Sequence, residues 1–280
     1  MEPGIYPGLS YAQYAALGGL RSSSLWPLVR QTPAHYMRRL MAPQAATPAM
    51  AFGSALHSYV LEPEAFKAEY VIGGPINPKT GAAYGRNTKA WAEWESMNPG
   101  VPVVSEEDMA HLEGMRSSIM AHEDAQNILI GAGAEREVSI VWRDVESGFL
   151  IQGRLDHFLR PHTLFADLKS TGDVTPREFA KSSEEYGYFM QMSLYWDGLR
   201  ELTGEKPYMP LVIAVEKTPP YFVAVYEIPI NDLAHGREQY RFALRRLAWC
   251  KERNEWPAYP GVMSLTPPKW AVDRPYEVIE

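Results

Sequence analysis

Hydrophobic and polar residues alternate along three segments in the middle of the chain, at residues 137–142, 149–156 and 164–169. In each segment the apolar side chains fall on one side and the polar side chains on the other, which is typical of half-buried β-strands. Ser147 and Gly148 predict a hairpin turn between the first two of these strands. The same reasoning predicts two further strands at residues 209–217 and 220–229.

Helical periodicity dominates the rest of the chain, with interruptions at proline and glycine. The predicted helices span residues 22–30, 33–41, 49–61, 88–97, 105–121, 185–203 and 232–254. Residues 73–87 are rich in glycine, proline and asparagine and predict a long loop, which is unusual in a compact domain and is often functional. The order of helices, three strands, helix, two strands and helix predicts a mixed α/β fold.

We expect one domain with three parts. Residues 1–130 form a mainly helical N-terminal elaboration that includes the long loop. Residues 131–256 form an α/β core, with a central mixed β-sheet flanked by helices, and residues 257–280 form a C-terminal tail. A chain of 280 residues is long enough to bury a large core without disulfides.

Composition narrows the class of protein. Hydrophobic residues make up 46% of the chain and charged residues 22%, which is ordinary for a globular protein. Cys250 is the single cysteine, so a disulfide within the chain and an iron–sulfur cluster are excluded, and a cytoplasmic location is expected. The longest apolar run, residues 211–215, is too short to span a bilayer, and the first residues lack the pattern of a signal peptide.

The charge of the chain is unevenly distributed. The net charge of −7 argues against a partner that is held by bulk positive charge. Residues 1–50, however, contain four arginines against a single acid. A local basic surface can therefore meet a polyanion even though the whole protein is acidic.

The polar sides of the three central strands carry the strongest chemical signal. Asp167 and Lys169 are two residues apart, so their side chains project from the same side of a strand. Asp156 lies on the preceding predicted strand and Glu137 on the one before it. If the strands pair in sequence order, three carboxylates and one amine gather on one face of the sheet. Carboxylates that lie this close repel one another unless a cation lies among them, and oxygen ligands favour Mg²⁺ or Mn²⁺.

Each of these residues also has a purely structural interpretation. An Asp-x-Lys pair is common on the solvated face of a strand. His57 lies on an otherwise apolar helix, where a lone histidine is usually a satisfied core residue, and it becomes a ligand candidate only if that helix reaches the carboxylates. Gln191 and Tyr195 share a helix face, on which core packing is the default for Tyr195 and Gln191 is the polar exception.

The assembled residues resemble the PD-(D/E)xK nuclease superfamily and, within it, the phage-type exonuclease VIII (RecE-like) enzymes. The resemblance covers most of the chain, and it is the order and spacing of the pieces that make it specific. The matching segments are Leu20–Leu25, Thr32–Tyr36, Gly53–His57, Leu61–Glu64, Glu137–Ser139, Gly153–Asp156, Asp167–Thr171, Gln191 with Tyr195, Trp256–Tyr259 and Pro268–Ala271. Leu155 and Ser170 are mild departures, because many members of the family have Pro and Thr there.

The resemblance implies a role for each matching position. The metal ligands are expected to be His57, Glu137, Asp156, Asp167 and the backbone carbonyl of Leu168. Lys169 is expected to be catalytic together with Asp156 and Asp167, and to hold the attacking water or to counter charge in the transition state. Gln191 and Tyr195 are expected to assist near the scissile phosphate. We expect Arg21, Ser24 and Arg154, which lie in matching segments, to contact DNA.

The resemblance also implies a function: an Mg²⁺-dependent exonuclease, with Mn²⁺ as a substitute, that degrades linear double-stranded DNA from the 5′ end in phage-type recombination. A single-strand annealing protein is the expected partner, and a ring of three or four copies is the expected assembly. Two alternatives stay open. The protein could be an endonuclease or single-strand nuclease of the same fold, or a DNA-binding or assembly module that has lost the activity.

Overall fold

A six-stranded mixed β-sheet forms the centre of the protein. The computed structural model describes residues 2–42, 47–131 and 133–267. The strands in chain order are β1 (Gly4–Tyr6), β2 (Val71–Ile72), β3 (Val103–Val104), β4 (Ala134–Arg143), β5 (Leu150–Leu159), β6 (Leu164–Thr171), β7 (Leu211–Glu216) and β8 (Val223–Glu227). The central sheet has the order β1-β4-β5-β6-β7-β8, in which only β6 and β7 are parallel neighbours, and β2 and β3 form a separate parallel pair.

Helices flank both faces of this sheet, as expected for the predicted fold class. They are α1 (Tyr11–Ala15), α2 (Ser22–Arg30), α3 (Pro33–Met41), α4 (Pro48–Leu61), α5 (Pro63–Glu69), α6 (Lys89–Met97), α7 (Glu106–Ala121), α8 (Glu123–Ile130), α9 (Pro176–Tyr186), α10 (Tyr188–Thr203) and α11 (Ile230–Arg253). None of the helices in the described ranges combines the length and the hydropathy needed to cross a bilayer.

The predicted elements agree with the structure with a few corrections. The helix predicted at residues 185–203 is wrong at its start, because Gly187 adopts a left-handed conformation (φ 75°) and separates α9 from α10. The short elements β1, β2, β3, α1, α5 and α8 and the 11-residue helix α9 were not predicted. The hairpin turn at Ser147–Gly148 is confirmed, and the N–H of Gly148 donates to the carbonyl of Asp144 (2.8 Å). Part of the predicted tail, including the matching segment Pro268–Ala271, lies outside the described residues.

Two hydrophobic layers cover the sheet. The first packs α2, α10 and α11 against one face, and the second packs α4, α7 and α8 against the other. Strand β7 shows the division most clearly, since Val212 and Ala214 belong to the first layer and Ile213 and Val215 to the second. Burial on both faces explains why β7 is an unbroken apolar run rather than an alternating one.

The sheet opens into a fork between β5 and β6. These two strands pair only over residues 157–159 and 164–166, whereas β6 goes on pairing with β7 as far as Thr171. Beyond the last pair, the side chain of Asp156 takes the place of a neighbouring backbone, because its Oδ2 accepts a hydrogen bond from the N–H of Leu168 (2.7 Å). A buried backbone N–H is thereby satisfied by a carboxylate.

The inward and outward alternation of β4 and β5 is interrupted at the level of this fork. Leu155 and Phe158 both belong to the first hydrophobic layer, although strict alternation would place them on opposite faces. On β4 the interruption falls at Glu137, which adopts a left-handed conformation (φ 52°). On β6, in contrast, Asp167 pairs with Val212 and Lys169 pairs with Ala214. Both partners belong to the first layer, so Asp167 and Lys169 lie on the face of the sheet that this layer covers. The prediction of one shared polar face is therefore corrected, and the polar groups meet where regular alternation fails.

Candidate metal centre

Three potential metal ligands converge at the fork from three different elements. His57 from α4, Glu137 from β4 and Asp156 from β5 each offer one ligand atom, and these atoms all lie within 4.8 Å of one another. The Nδ1 atom of His57 is 3.3 Å from Oδ2 of Asp156. Leu56 and Val60 anchor α4 in the second hydrophobic layer, so the helix does reach the carboxylates. The condition for treating His57 as a ligand candidate is therefore met.

Asp167 lies beside this cluster but is engaged by other groups. Its Oδ1 atom accepts a hydrogen bond from Nε2 of Gln191 (2.7 Å), and its Oδ2 atom forms an ion pair with Lys169. The ammonium of Lys169 is also 4.8 Å from the ring centre of Tyr188. Leu168, the expected carbonyl ligand, is held next to Asp156 through its N–H. The structure thus brings His57, Glu137 and Asp156 within ligand distance of one another, whereas Asp167 is engaged by Lys169 and Gln191, and metal binding by Asp167 and by the carbonyl of Leu168 stays a prediction.

Arg154 fixes the position of Glu137. Its guanidinium forms an ion pair with Glu137 and donates to the carbonyl of Leu9 (2.8 Å), and its side chain is only 10% exposed. A guanidinium that is used in this way is poorly placed to bind a DNA phosphate as well. Its position instead suits a residue that holds a carboxylate ligand in place.

The other two predicted DNA contacts lie at the start of α2. The backbone N–H of Arg21 donates to Oγ of Ser24 (2.9 Å), and that hydroxyl donates to the carbonyl of Arg21 (2.7 Å). Ser24 therefore closes the first turn of the helix. The guanidinium of Arg21 lies 5.4 Å from the ring centre of Tyr14. Contact of either residue with DNA stays a prediction.

Tyr195 packs against β5 at a position where only glycine leaves room. A Cβ atom on Gly153 would lie 2.5 Å from the ring of Tyr195. Burial is the main reason that the pKa of Tyr195 is raised well above its usual range. Tyr195 is thus a neutral core residue directly behind the fork, which agrees with the packing interpretation. The small residue three positions before Asp156 is explained by the same contact.

Tyr188 is a member of the site that the sequence pattern did not single out. It lies three residues before Gln191 and seven before Tyr195, so it shares their helix face. Its closeness to Lys169 depends on how α10 crosses β6, which no local pattern reveals. The spacing alone could have marked Tyr188 as a neighbour of Gln191.

Three arginines of α11, at positions 237, 241 and 246, are engaged in structural contacts. Arg237 makes two hydrogen bonds of 2.7 Å to Asp197, and Arg241 forms an ion pair with Asp144 (2.6 Å). Arg246 donates to the carbonyls of Leu28 and Gln31 at the end of α2. These contacts indicate that the three arginines stabilise the fold rather than bind DNA.

Burial and mutual charge shift the pKa values of the cluster strongly. Burial lowers the pKa of His57, but the Asp156 carboxylate outweighs it and raises this pKa to about 9. Burial and the negative charge of Asp156 together raise the pKa of Glu137 to about 7, although Arg154 opposes the shift. Burial opposes ionisation of Asp156 too, yet His57 and Lys169 hold the pKa of Asp156 below its usual range. Without a metal, the cluster therefore retains protons that a cation would displace.

A similar balance governs Asp167 and Lys169. Burial and the charge of Asp156 raise the pKa of Asp167. Burial alone would lower the pKa of Lys169, but Asp167 and Asp156 raise it, so the ammonium stays charged. The carboxylates at the fork are therefore close enough to repel one another, and the positive charges of Lys169 and His57 offset this repulsion.

The mixed α/β fold, with its six-stranded central sheet flanked by helices, is a PDDEXK-like fold. The family described as "PDDEXK-like domain of unknown function (DUF3799)" matches residues 22–266. The chain belongs to that family. No protein with curated annotation matches the sequence.

Among the solved structures that are similar to this chain, one supports the fold. A protein from Eubacterium rectale named "Putative exonuclease" superposes with a TM-score of 0.64 at 14% identity, over 95% of this chain and 98% of that chain. A phage related exonuclease from Haemophilus somnus 129PT aligns at 11% identity over 85% of this chain and 96% of that chain, with a TM-score of 0.36. Only the first of these supports the fold, and at this identity it supports the fold alone.

The raised pKa values predict that the metal-free protein loses stability as the pH rises from about 5 to about 9. Folded Glu137 keeps its proton up to a pKa of about 7 against 4.5 when unfolded, and folded His57 keeps its proton up to about 9 against 6.5. Each folded group therefore binds more protons than its unfolded form in that window, so stability falls as the pH rises. Thermal melts in EDTA measure the trend.

A His57→Gln, Glu137→Gln double variant is the control, because it removes both titrations. Its melting temperature should change less between pH 5 and pH 9 than that of the wild type. Added Mn²⁺ should stabilise the wild type more at pH 8 than at pH 6, since metal binding displaces these protons. A wild type in EDTA that gained stability relative to the double variant over this range would contradict the assignment.

Proposed function

We propose that the protein is a divalent-metal-dependent deoxyribonuclease. The observation that carries this proposal is the convergence of His57, Glu137 and Asp156 beside the Asp167–Lys169 ion pair. The carboxylate oxygens suit Mg²⁺ and Mn²⁺, and the imidazole nitrogen of His57 is better matched to Mn²⁺ than to the harder Mg²⁺. The protons retained by the cluster fit a site that is built around a cation. Membership of a PDDEXK-like family and the name of the Eubacterium rectale neighbour support the same class of activity.

The residues of the fork would have two roles, metal binding and orientation of the metal ligands. His57, Glu137 and Asp156 would hold the cation, with Asp167 and the carbonyl of Leu168 as the further ligands that the family resemblance implies. A bound divalent cation would act as a Lewis acid on the phosphate and make water a better nucleophile. Arg154 holds Glu137, and the N–H of Leu168 holds Asp156, so both carboxylates are oriented before substrate arrives.

Lys169 acts on the reacting phosphate in this proposal. Its side chain is 14% exposed and its ammonium lies between Asp167 and the ring of Tyr188. A preorganised cation at the mouth of the fork would hold the attacking water and stabilise charge that develops on the phosphate oxygens. Gln191 assists indirectly, because its hydrogen bond keeps Asp167 in line with Lys169.

The finer proposals rest on the family resemblance. They are digestion of linear double-stranded DNA from the 5′ end, a role in phage-type recombination beside a single-strand annealing protein, and a cytoplasmic location. An acidic exonuclease also needs a way to stay on its substrate, and a ring of three or four copies threaded by DNA would supply it.

Digestion of linear and covalently closed circular DNA tests the proposal. With Mg²⁺ or Mn²⁺, the linear DNA should disappear while the circle stays intact, and EDTA should stop the reaction. An Asp156→Asn variant is the matched control, because it keeps the shape of the side chain and removes a ligand charge. Cleavage of the circle would indicate an endonuclease. Absence of cleavage together with DNA binding would indicate a binding module and would contradict the proposed activity.

Lys169→Ala should cut DNA about 10²–10³ more slowly in a single turnover, since it removes a preorganised charge contact. Its affinity for Mn²⁺ and for DNA at fixed salt should stay close to that of the wild type. Lys169→Arg should not restore the rate, because a guanidinium is wide and planar. Lys181→Ala, on the exposed side of α9, is the control for general loss of positive charge. A parallel fall in Mn²⁺ affinity and rate would show that Lys169 only balances the carboxylates.

A further inference from the structure

An exposed tyrosine stands next to the candidate metal centre. Tyr186 is 65% exposed, and its ring centre is 5.9 Å from that of Tyr188, with an angle of 31° between the rings. Tyr188 in turn contacts the ammonium of Lys169. The exposed ring of Tyr186 is therefore connected to Lys169 through the ring of Tyr188.

The backbone that carries Tyr186 is held rigidly by α2. A Cβ atom on Gly187 would lie 2.7 Å from the ring of Trp26, so that indole fills the space beside the turn. The indole N–H of Trp26 donates to the carbonyl of Glu185 (3.2 Å), and Arg30 forms an ion pair with the Glu185 side chain (2.7 Å). An exposed aromatic ring on a fixed turn is preorganised for binding.

The fork itself is recessed. The side chains of Asp156 and Lys169 are only 10% and 14% exposed, and that of His57 is 28% exposed. A strand end whose nucleotide has left the regular stack of a duplex can enter such a recess more deeply than a paired end, but leaving the stack costs unstacking and unpairing energy. A ring that stacks on the released base would recover part of that cost.

We propose that Tyr186 and Tyr188 form a stacking platform for an unpaired nucleobase of the DNA strand whose phosphate lies at the metal centre. The proposal rests on the proposed nuclease function and adds a substrate preference to it. DNA ends whose terminal bases are frayed or unpaired bind better than fully paired ends. The platform tolerates any base, because every base presents a π-face.

A binding experiment with modified DNA ends tests the platform directly. The probe is a short duplex that carries two unpaired nucleotides at one end, with natural bases or with abasic sugars at those positions. Affinity is measured in EDTA, so that no DNA is cut, with wild type, Tyr186→Ala and Tyr186→Phe. Tyr208→Ala is the control, since Tyr208 is 60% exposed but meets His162 edge to face, away from the fork.

The expected result is a coupling between the tyrosine and the base. Removal of the terminal bases should weaken binding to the wild type about tenfold and should have little effect on Tyr186→Ala. Tyr186→Phe and Tyr208→Ala should behave as the wild type does, because the platform needs a ring and not a hydroxyl. The fluorescence of 2-aminopurine at the unpaired end should be quenched by the wild type and not by Tyr186→Ala.

Other outcomes overturn the proposal in distinguishable ways. If the wild type binds DNA and Tyr186→Ala loses the same affinity for abasic and natural ends, the tyrosine does not stack on a base, and the nuclease proposal survives. If Tyr186→Ala instead changes the mass of the protein in sedimentation, with no coupling to the bases, Tyr186 contacts a second copy of the chain. If the wild type neither binds nor cuts DNA, the proposed function fails together with the platform.

Discussion

Three carboxylates and the cations that neutralise them are buried where two neighbouring strands separate, and the surrounding structure is arranged around this constraint. Removing charges from water is costly unless each one is paired and hydrogen-bonded. His57 pairs with Asp156, Lys169 with Asp167, and Arg154 with Glu137. Each partner comes from an element that is itself anchored in a hydrophobic layer or in the sheet. The packing of the hydrophobic layers and the sheet therefore keeps the members of these three ion pairs close together.

The backbone accommodates the charges by giving up regular sheet geometry. Glu137 accepts a left-handed conformation, which costs a non-glycine residue roughly 1–2 kcal/mol. The ladder between β5 and β6 stops early, and the Asp156 carboxylate replaces a backbone acceptor for the N–H of Leu168. Strained backbone conformations of this kind persist only where the surrounding structure imposes them, and they are found most often at functional sites. A cation bound at the fork would relieve the repulsion that the metal-free protein manages with protons.

The strands and the candidate carboxylates were predictable because both depend on local periodicity. Alternation placed Asp167 beside Lys169, and the fold class followed from the order of the elements. The sequence of α4 did not predict that His57 lies close to the carboxylates, since this depends on how α4 packs across the sheet. The partnership of Arg154 with Glu137 and the break between α9 and α10 at Gly187 arise from contacts between distant segments. The shared polar face was wrong because regular alternation fails at Glu137 and Asp156, and no pattern of residue types marks that failure.

Crystals grown with Mn²⁺ provide the most direct test of the central claim, which is that the fork is a metal site. Anomalous scattering at the manganese edge should show a peak within coordination distance of His57, Glu137 and Asp156 in the wild type. The same peak should be lost or strongly reduced in Asp156→Asn. The ion pair between His57 and Asp156 should open, because the imidazole exchanges its proton for the metal. An empty fork at a Mn²⁺ concentration that supports DNA cleavage, with peaks only at exposed carboxylates, would contradict the account.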